Sequence, residues 1–353
     1  MRKLTKQVMA LSLLFGLAIG LVGCGNRKDT VTDSGSTKNT STKKQVVRIG
    51  AVGQGNSLLG AIGVADSKGF LKEELEEVGY EPEIVGFAQA GPAINEAFAA
   101  GEIQLAIYGD LPATVAKANG TDTTIFAIYN SEEQMGIFVR NGVKDVKSAA
   151  DFPGHKVIVA RGTIYHQYFK SIIDDAGVKE ADIEEINTFS DAASLISSKD
   201  ADVLITSTSI GYYLESLGLG TVIADSTDHP EWTSQFFGVG LSDYLKENPE
   251  VAKAVIKAML RGQEYIQKNP EEAYSIWAGK SDGYTADIYK KVFAYDTSFD
   301  YFSPEITENT IEKLNHLNDF LVSEKLIKNS VDMKNFVDNS YYEEAKAEYD
   351  AKK

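Results

Sequence analysis

The hydrophobic pattern of the chain alternates short apolar runs with segments of helical spacing. Short apolar runs bounded by glycine or polar residues predict strands. These runs lie at 46–52, 83–87, 103–108, 125–129, 135–140, 155–160, 203–205, 221–224 and 236–241. Most of the segments between them predict helices. Beyond Ser242 only helices are predicted, with apolar stripes that we interpret as core packing. This alternation of strands and helices is typical of an α/β fold.

The stretch from Ala90 to Pro112 shows the alternation most clearly. Pro92 suits the first turn of a helix, Gly91 lets the chain turn into it, and Gly101 suits its end. A strand follows, and Asp110 or its neighbour caps the next helix. Parallel α/β units place helix N-termini at the carboxyl edge of the sheet, so their free N–H groups predict an anion site. The alternative, that these are ordinary helix starts, stays open.

The same pattern recurs at a constant offset of about 98 residues. Ile94, Phe98, Leu105, Ile107 and Gly109 match, in order, Ala192, Ile196, Val203, Ile205 and Ser207. The polar break Asn130–Gln134 predicts passage into a second domain, and the apolar run from Phe236 predicts the return. We therefore predict two lobes of similar construction, lobe 1 from residues 46–133 and 236–345 and lobe 2 from residues 134–235.

The N-terminus has the pattern of an export signal. Three cations precede an apolar run over 8–22 that is too short for a confident membrane span. Leu21-Val22-Gly23-Cys24 resembles a bacterial lipobox, which implies that residues 1–23 are removed and that Cys24 carries lipid. Residues 24–45 are mostly polar and predict a flexible linker. We expect a lipid-anchored protein on the extracytoplasmic face of the cell membrane; a non-lipidated signal or an uncleaved anchor is the alternative.

The composition narrows the classes of partner. Cys24 is the only cysteine, so the folded part has neither a disulfide nor a cysteine metal site. The formal charge is −16, and loss of Arg2, Lys3 and Lys6 with the signal would make it about −19. Such an acidic chain argues against nucleic acid as a partner. It does not exclude an anionic ligand, because helix ends and nearby dipoles set the field of a site locally.

Sequence motifs for cofactors and catalysis are missing from the chain. The polar glycine loop at 53–57 has neither a complete GxGxxG nor a P-loop lysine, so a nucleotide site is unsupported. His155, His229 and His316 lack metal-ligand spacing, and neither HExxH nor GxSxG occurs. We therefore predict no metal, no cofactor and no enzymatic activity.

A longer set of motifs carries a family resemblance. The motifs are Gly91-Pro92, Ala97-Phe98-Ala99-Ala100-Gly101-Glu102-Ile103, Gly109-Asp110-Leu111-Pro112-Ala113, Ala116-Lys117-Ala118, Gly120, Gly154-His155-Lys156-Val157, Gly162-Thr163, His166, Ala176-Gly177 and Glu324-Lys325-Leu326-Ile327. With them the chain resembles the sulfonate, nitrate and taurine group of ABC-transporter substrate-binding proteins, which includes binders of thiamine-pyrimidine precursors. The resemblance covers nearly all of Arg48 to about Phe336. It implies a type II periplasmic-binding-protein-like fold, with two α/β lobes joined by a two-segment hinge.

The resemblance also implies where a ligand binds. Carried over by position, the ligand-facing loops are 53–56, 90–92, 109–110 and 162–166. With the hydroxyls that follow the strand at 203–205, the candidate ligand-binding residues are Gln54, Asn56, Ala90, Gly91, Gly109, Asp110, Gly162, Thr163, Tyr165, His166, Ser207 and Thr208. Thr206-Ser207-Thr208-Ser209 departs from the Trp-Asp-Pro-type segment that members often have. That departure removes an acidic and an aromatic contact.

Several of these side chains also have a purely structural interpretation. Asp110 can pair with a cationic ligand group or simply cap a helix. His166 can donate to an anion or lie at the edge of the core. Glu132 and Glu133, near the predicted crossover, are interpreted as a solvated turn. The aromatic residues that can stack on a planar ligand or pack in the core are Tyr108, Tyr165, Tyr212, Phe236 and Phe237.

These observations lead to one favoured function. We predict a monomeric solute-binding lipoprotein that captures a small organic anion, such as a sulfonate, taurine or nitrate, in an interlobe cleft. Its partners are an ABC permease and the ATPase of that permease. A planar heterocycle such as a thiamine-pyrimidine precursor is the alternative ligand. Alternatives of another class are an enzyme on the same scaffold and a surface adhesin.

Overall fold

The computed structural model describes residues 44–353, which carry two five-stranded sheets surrounded by helices. The predicted signal peptide, the lipidation of Cys24 and all but the end of the predicted linker concern residues 1–43, which lie outside the described part. Within 44–353, no helix has both the length and the apolar character that a membrane span requires.

The strands fall close to the predicted apolar runs. They are β1 (Gln45–Val52), β2 (Tyr80–Phe87), β3 (Leu105–Gly109), β4 (Thr123–Glu133), β5 (Met135–Arg140), β6 (Lys156–Ile158), β7 (Glu184–Ile186), β8 (Val203–Ser207), β9 (Gly220–Asp225) and β10 (Ser234–Leu241). The predicted strand at 155–160 is shorter than expected, and β7 was not predicted.

The helices fill the segments between the strands and the whole C-terminal part. They are α1 (Gly60–Ser67), α2 (Phe70–Glu77), α3 (Ala90–Ala99), α4 (Asp110–Ala118), α5 (Ile164–Asp175), α6 (Ala192–Ser198), α7 (Thr208–Ser216), α8 (Ser242–Glu247), α9 (Pro249–Lys268), α10 (Pro270–Ala278), α11 (Ala286–Val292), α12 (Glu308–Ser323) and α13 (Ser340–Ala351). The helical C-terminal part is thereby confirmed.

The two sheets have the same construction. Their strand orders are β2-β1-β3-β10-β4 and β7-β6-β8-β5-β9. In each, three neighbouring strands run parallel, and the fourth in the order is antiparallel to both of its neighbours. β8 and α7 begin 98 residues after β3 and α4 and occupy equivalent places. The repeat predicted from the sequence and the bilobal α/β fold are therefore confirmed.

The chain crosses from one sheet to the other twice, and the two crossings lie side by side. Only Gln134 separates β4 from β5, and the return from β9 to β10 includes a short turn of helix at Pro230–Trp232. The polar segment 130–134 is not the interruption between strands that we predicted. β4 continues through it and pairs Asn130 with Phe236 and Glu133 with Ser234. Pairing with β10 satisfies the backbone there, so the polar side chains need not mark a loop.

The turn into α3 also differs from the expectation. Ala90, rather than Gly91, has the positive φ, +57°, while Gly101 ends the helix at φ +69° as predicted. Gly91 is needed for space instead, because a Cβ atom there would lie 2.4 Å from the Cβ of Pro112. The glycine thus lets the starts of α3 and α4 pack against each other.

An aromatic cluster joins the C-terminal helices to the start of α1. Trp277, Tyr289, Phe293, Phe299 and Phe302 are buried together, with the Trp277 and Phe293 rings 4.8 Å apart. The indole of Trp277 also donates to the carbonyl of Gly60 at 3.1 Å. This cluster fixes the position of the segment that follows β1.

Candidate functional site

A cavity of about 510 Å³ lies between the two sheets. One wall is the loop after β1, from Gly53 to Leu59, and a second is formed where β4 and β10 approach the crossover. The second sheet contributes Tyr165 and the start of α7, and the aromatic cluster closes the remaining side. A cavity of this size that draws its walls from two lobes is typical of a small-molecule site.

The loop after β1 is held by side chains from distant elements. The Ser57 hydroxyl donates to the carbonyl of Val52 at 2.6 Å, and the Leu59 N–H donates to the Tyr129 hydroxyl at 2.9 Å. Gly53 and Gly55 have positive φ, +115° and +63°, which glycine adopts without strain. The loop is therefore a fixed wall, and Tyr129 ties it to β4.

Glu133 places a carboxylate on the cavity wall at the end of β4. Its Oε2 accepts from Asn130 Nδ2 at 2.8 Å, and Asn130 Oδ1 in turn accepts from the Glu132 N–H at 2.9 Å. No lysine, arginine or histidine of residues 44–353 lies within ion-pair distance of Glu133. Burial raises the pKa of the Glu133 carboxyl to about 7, and the Asn130 hydrogen bond opposes that rise.

Aromatic side chains surround this carboxylate. The hydroxyls of Tyr129, Tyr165 and Tyr289 all lie in its field: burial raises the pKa of each phenol, and the charge of Glu133 raises it further. Tyr165 stacks on Phe189 with ring centroids 5.7 Å apart. Aromatic faces beside a carboxylate suit a planar or cationic guest better than a small, strongly hydrated anion.

Four of the predicted site residues line the cavity: Gln54, Asn56, Tyr165 and Ser207. Asn56 donates to Asp66 at 2.8 Å and accepts from Lys280 at 3.4 Å, so its amide is largely engaged. Lys280 is itself paired with Asp66 at 2.6 Å. The Ser207 hydroxyl contacts that of Ser209 at 2.9 Å. The structure thus brings the loop after β1 and the start of α7 together.

The other predicted residues lie beside the cavity rather than on its wall. Among the described residues, the wall does not include Ala90, Gly91, Gly109, Asp110, Gly162, Thr163, His166 or Thr208. The starts of α4 and α5 instead meet each other, because a Cβ atom at Gly109 would lie 2.6 Å from Ile164 Cγ2. Whether any of these residues contacts a ligand remains a prediction.

Asp110 lines a second cavity of about 450 Å³ near the crossover, which we call the rear cavity. It is 3% exposed, and its carboxylate accepts from the N–H groups of Leu111 at 2.8 Å and Gln235 at 3.0 Å. Burial raises the pKa of Asp110 to about 6 against these bonds and the nearby charge of Lys313. These contacts link the start of α4 to β10 across the hinge region.

His166 is buried within α5, next to Arg161. Its Nε2 lies 3.5 Å from Arg161 Nη1, and its Nδ1 has no hydrogen-bond partner among the described residues. Burial lowers the pKa of His166 to about 4, and the Arg161 charge adds to the effect. The ring is therefore neutral at physiological pH, so an anion contact by a cationic His166 loses its basis.

Sequence reasoning missed Glu133 and most of the aromatic wall. Two adjacent acids in a polar segment usually face water, so the sequence predicts a solvated turn at Glu133. The aromatic residues of α11 and its neighbours are far away in the chain, and nothing local connects them to β4. Within residues 44–353, no group of three or more histidine, cysteine or acidic side chains is arranged to bind a metal ion.

Comparison with known proteins gives consistent matches. Residues 57–273 match the family described as NMT1/THI5 like. An Escherichia coli K12 protein with the assigned name aliphatic sulfonates-binding protein is 25% identical over 65% of this chain and 71% of its own length. A Bacillus subtilis 168 protein with the same assigned name is 23% identical over 96% of this chain and 97% of its own length.

Solved structures share the fold. The periplasmic aliphatic sulphonate binding protein SsuA of Escherichia coli superposes with a TM-score of 0.64 at 22% identity, covering 82% of this chain and 96% of its own. The alkanesulfonate-binding protein SsuA of Xanthomonas axonopodis, bound to MOPS, gives 0.70 at 16%, covering 85% and 100%. The desulfurization enzyme DSZB gives 0.69 at 12%, covering 87% and 100%. The fold is therefore shared by binding proteins and an enzyme.

Proposed function

Because the chain belongs to the NMT1/THI5-like family, we propose that it is the solute-binding component of an ABC importer. It captures a small molecule between its lobes and delivers it to a permease that is powered by an ATPase. The supporting observation is the cavity of about 510 Å³ with walls from both sheets. Rotation of one lobe about the two crossovers would open that cavity, and closure would trap the guest.

The proposal includes the location and boundaries of the molecule. Lobe 1 comprises residues 46–133 and 236–345, lobe 2 comprises residues 134–235, and the protein acts as a monomer outside the cytoplasm. Lipid on Cys24 holds it to the membrane through the linker. Metabolic labelling tests the anchor: labelled fatty acid should enter the unaltered protein but not a Cys24→Ser variant, and equal labelling of both would contradict lipid on Cys24.

Two ligand classes compete for the cavity. A small organic anion such as a sulfonate is supported by the assigned names of relatives. A planar heterocycle, such as a thiamine-pyrimidine precursor, is supported by the stacking surfaces of Tyr165, Phe189 and Phe236. We favour the planar ligand, because an aliphatic sulfonate would leave these aromatic faces without a stacking partner and would lie near the charge of Glu133.

An enzymatic role has less support. The wall holds one half-buried carboxylate with a raised pKa and several phenols with raised pKa, but it lacks an obvious nucleophile with an adjacent base among the described residues. Mass spectrometry of a bound solute over time distinguishes the two roles. Unchanged solute supports binding, and a changed mass supports an enzyme.

Thermal-shift screening is the direct test of solute binding. The panel contains sulfonates, taurine, nitrate, pyrimidines and a small-molecule extract of the host. At a free concentration one hundred times Kd, a ligand adds about 2.7 kcal/mol to the unfolding free energy, which corresponds to several degrees in Tm. No stabilisation by any member of the panel or by the extract would overturn the proposal.

A further inference from the structure

The sign of the ligand's charge can be inferred from the cavity wall. We propose that the ligand is a planar organic cation with adjacent N–H donors, and that Glu133 is the residue that selects it. This inference rests on the proposed function, since it concerns the ligand of the same cavity. It goes further by excluding the anionic class for this chain and by assigning selectivity to one side chain.

The first argument is the isolation of the carboxylate. Glu133 has a single hydrogen-bond donor, Asn130 Nδ2 at 2.8 Å, and it makes no ion pair within residues 44–353. A carboxylate has room for about four hydrogen bonds, so most of its acceptor capacity is left to solvent or to a guest. Glu133 is half-buried, and a guest that fills the cavity displaces solvent from it, which is costly unless the guest supplies donors in its place.

The second argument is the charge balance of the remaining wall. Lys280 is the cation of the wall, and its ammonium is already paired with Asp66 at 2.6 Å. Asp282 also lines the cavity and adds negative charge. The unpaired charge of the wall is therefore negative, which disfavours a sulfonate or nitrate and favours a cation.

The third argument is the shape and polarisability of the surroundings. Tyr165 is stacked on Phe189 at 5.7 Å, and Tyr129 packs on Phe236 at 5.9 Å between ring centroids. Aromatic faces attract cations through their quadrupoles and stack on flat groups. A planar cation satisfies both kinds of wall at once, with its N–H edge on Glu133 and its faces against the rings.

Asn130 prepares the carboxylate for this contact. It donates to Glu133 through its amide nitrogen and accepts from the Glu132 N–H through its amide oxygen, so its orientation is fixed from both ends. Ladder pairing with Phe236 fixes its backbone as well. We assign Asn130 as the positioning residue for Glu133.

A set of matched probes tests the sign of the charge. Benzamidine is a planar cation with two N–H groups on one edge, benzamide is its neutral analogue, and benzenesulfonate is a planar anion of similar size. Calorimetry at pH 8 should show that benzamidine binds best and benzenesulfonate worst. Tighter binding of benzenesulfonate than of benzamidine would overturn the inference.

Two variants that each remove one negative charge show which residue determines benzamidine binding. Glu133→Gln should weaken benzamidine binding by about thirtyfold or more, as expected when one partner of a buried charge pair is removed. Glu132→Gln, one residue away and outside the cavity wall, should leave it unchanged. Equal affinity of Glu133→Gln and the unaltered protein for benzamidine would refute the assignment, provided that circular dichroism shows both folded.

A parallel experiment covers the case in which no probe binds. The protein is incubated with a small-molecule extract of the host, and native mass spectrometry identifies any retained solute. A retained cation that Glu133→Gln loses supports the inference, while a retained anion, or a cation that this variant keeps, overturns it with solute binding intact. Failure to retain any solute, together with a silent thermal-shift panel, defeats the proposed function itself.

Discussion

Glu133 is a carboxylate in surroundings that favour its neutral form. Burial raises its pKa to about 7 from an ordinary value of 4.5, and one amide donor only partly opposes the rise. A carboxyl group with a raised pKa binds protons more readily in the folded state than in the unfolded state. Its contribution to stability is therefore present at low pH and is lost as the pH rises from about 4.5 through 7.

This linkage predicts that replacing Glu133 with a neutral residue raises the unfolding free energy by an amount that depends on pH. Without ligand, Glu133→Gln should be more stable than the unaltered protein at pH 8, by about 1–3 kcal/mol, and the difference should shrink towards pH 5. Urea unfolding of both proteins across this range measures it. Asp110, whose pKa is also raised, is present in both proteins, so its titration cancels in the comparison. A stability difference that does not change with pH would contradict the prediction.

For single residues, the sequence predicts which side chains lie near the cavity better than it predicts what each side chain does there. The sequence predicts Gln54, Asn56, Tyr165 and Ser207 near a ligand, and they line the cavity, because each lies at or just after the carboxyl end of a strand. Glu133 could not be identified, since part of its aromatic surroundings, Phe236 and Tyr289, comes from more than a hundred residues away in the chain. Local sequence does not report contacts of that kind.

The start of α5 is the element that brings Tyr165 to the cavity. Thr163 is the N-cap residue: its Oγ1 accepts from the Tyr165 N–H at 3.2 Å and donates to the carbonyl of Ala160 at 2.6 Å. The hydroxyl thus joins the end of β6 to the first turn of the helix.

Removal of that hydroxyl should weaken both the helix and the site. Thr163→Ala should lower the unfolding free energy by about 1–2 kcal/mol, because a cap and a buried hydrogen bond are both lost. Thr163→Ser keeps the hydroxyl and serves as the matched control, with a smaller expected change. Chemical denaturation measures both variants. An equal loss in the two would show that the methyl group, rather than the cap, stabilises the helix start.

Two elements extend beyond what their own apolar pattern can explain. α13 has one buried apolar side chain, Ala345, and is held to α9 by Lys253 and Lys257, which both contact Glu348. β4 extends through polar residues because β10 pairs with it along its length. In both cases a partner element supplies the stabilisation, and periodicity within the segment cannot reveal a partner.

The contact between the two lobes depends on a residue without a side chain. Gly109 ends β3 of the first sheet, and Ile164 begins α5 of the second, with Ile164 Cγ2 lying where a Cβ atom at Gly109 would need space. Gly109 has φ −66° and ψ 155°, a conformation open to any residue. Glycine is therefore required here for the approach of the lobes rather than for the backbone.

Gly109→Ala should consequently act as a wedge between the lobes. Ligand affinity should fall about tenfold, because strain of about 1–3 kcal/mol is imposed on the arrangement in which both lobes line the cavity. Unfolding of the ligand-free variant should change little, since rotation of the lobes relieves the overlap. Calorimetry with a ligand from the screen measures affinity, and small-angle scattering should show a larger radius of gyration. The double variant Gly109→Ala with Ile164→Ala should regain closure; if it does not, steric overlap with Ile164 is not the cause.

The overall architecture was the most predictable level. The repeat from Ile94–Gly109 to Ala192–Ser207 indicated two similar lobes, and the structure places β3 and β8 at equivalent positions. Symmetry of this kind is visible in the chain because each half must bury the same pattern of strands and helices. The rear cavity beside Asp110 was not foreseen, since it arises only where α5 and α12 approach each other.

The order of the strands also governs how the molecule assembles as the chain is made. β5 to β9 are contiguous, so the second sheet has all its strands once Asp225 has emerged. The first sheet cannot close then, because β10 belongs between β3 and β4 and is synthesised last. Until Ser234–Leu241 arrives, both neighbouring strands have exposed edges, which are the part of a nascent chain most prone to mispairing. β10, the last strand to be synthesised, thus completes the sheet whose other strands come first in the chain.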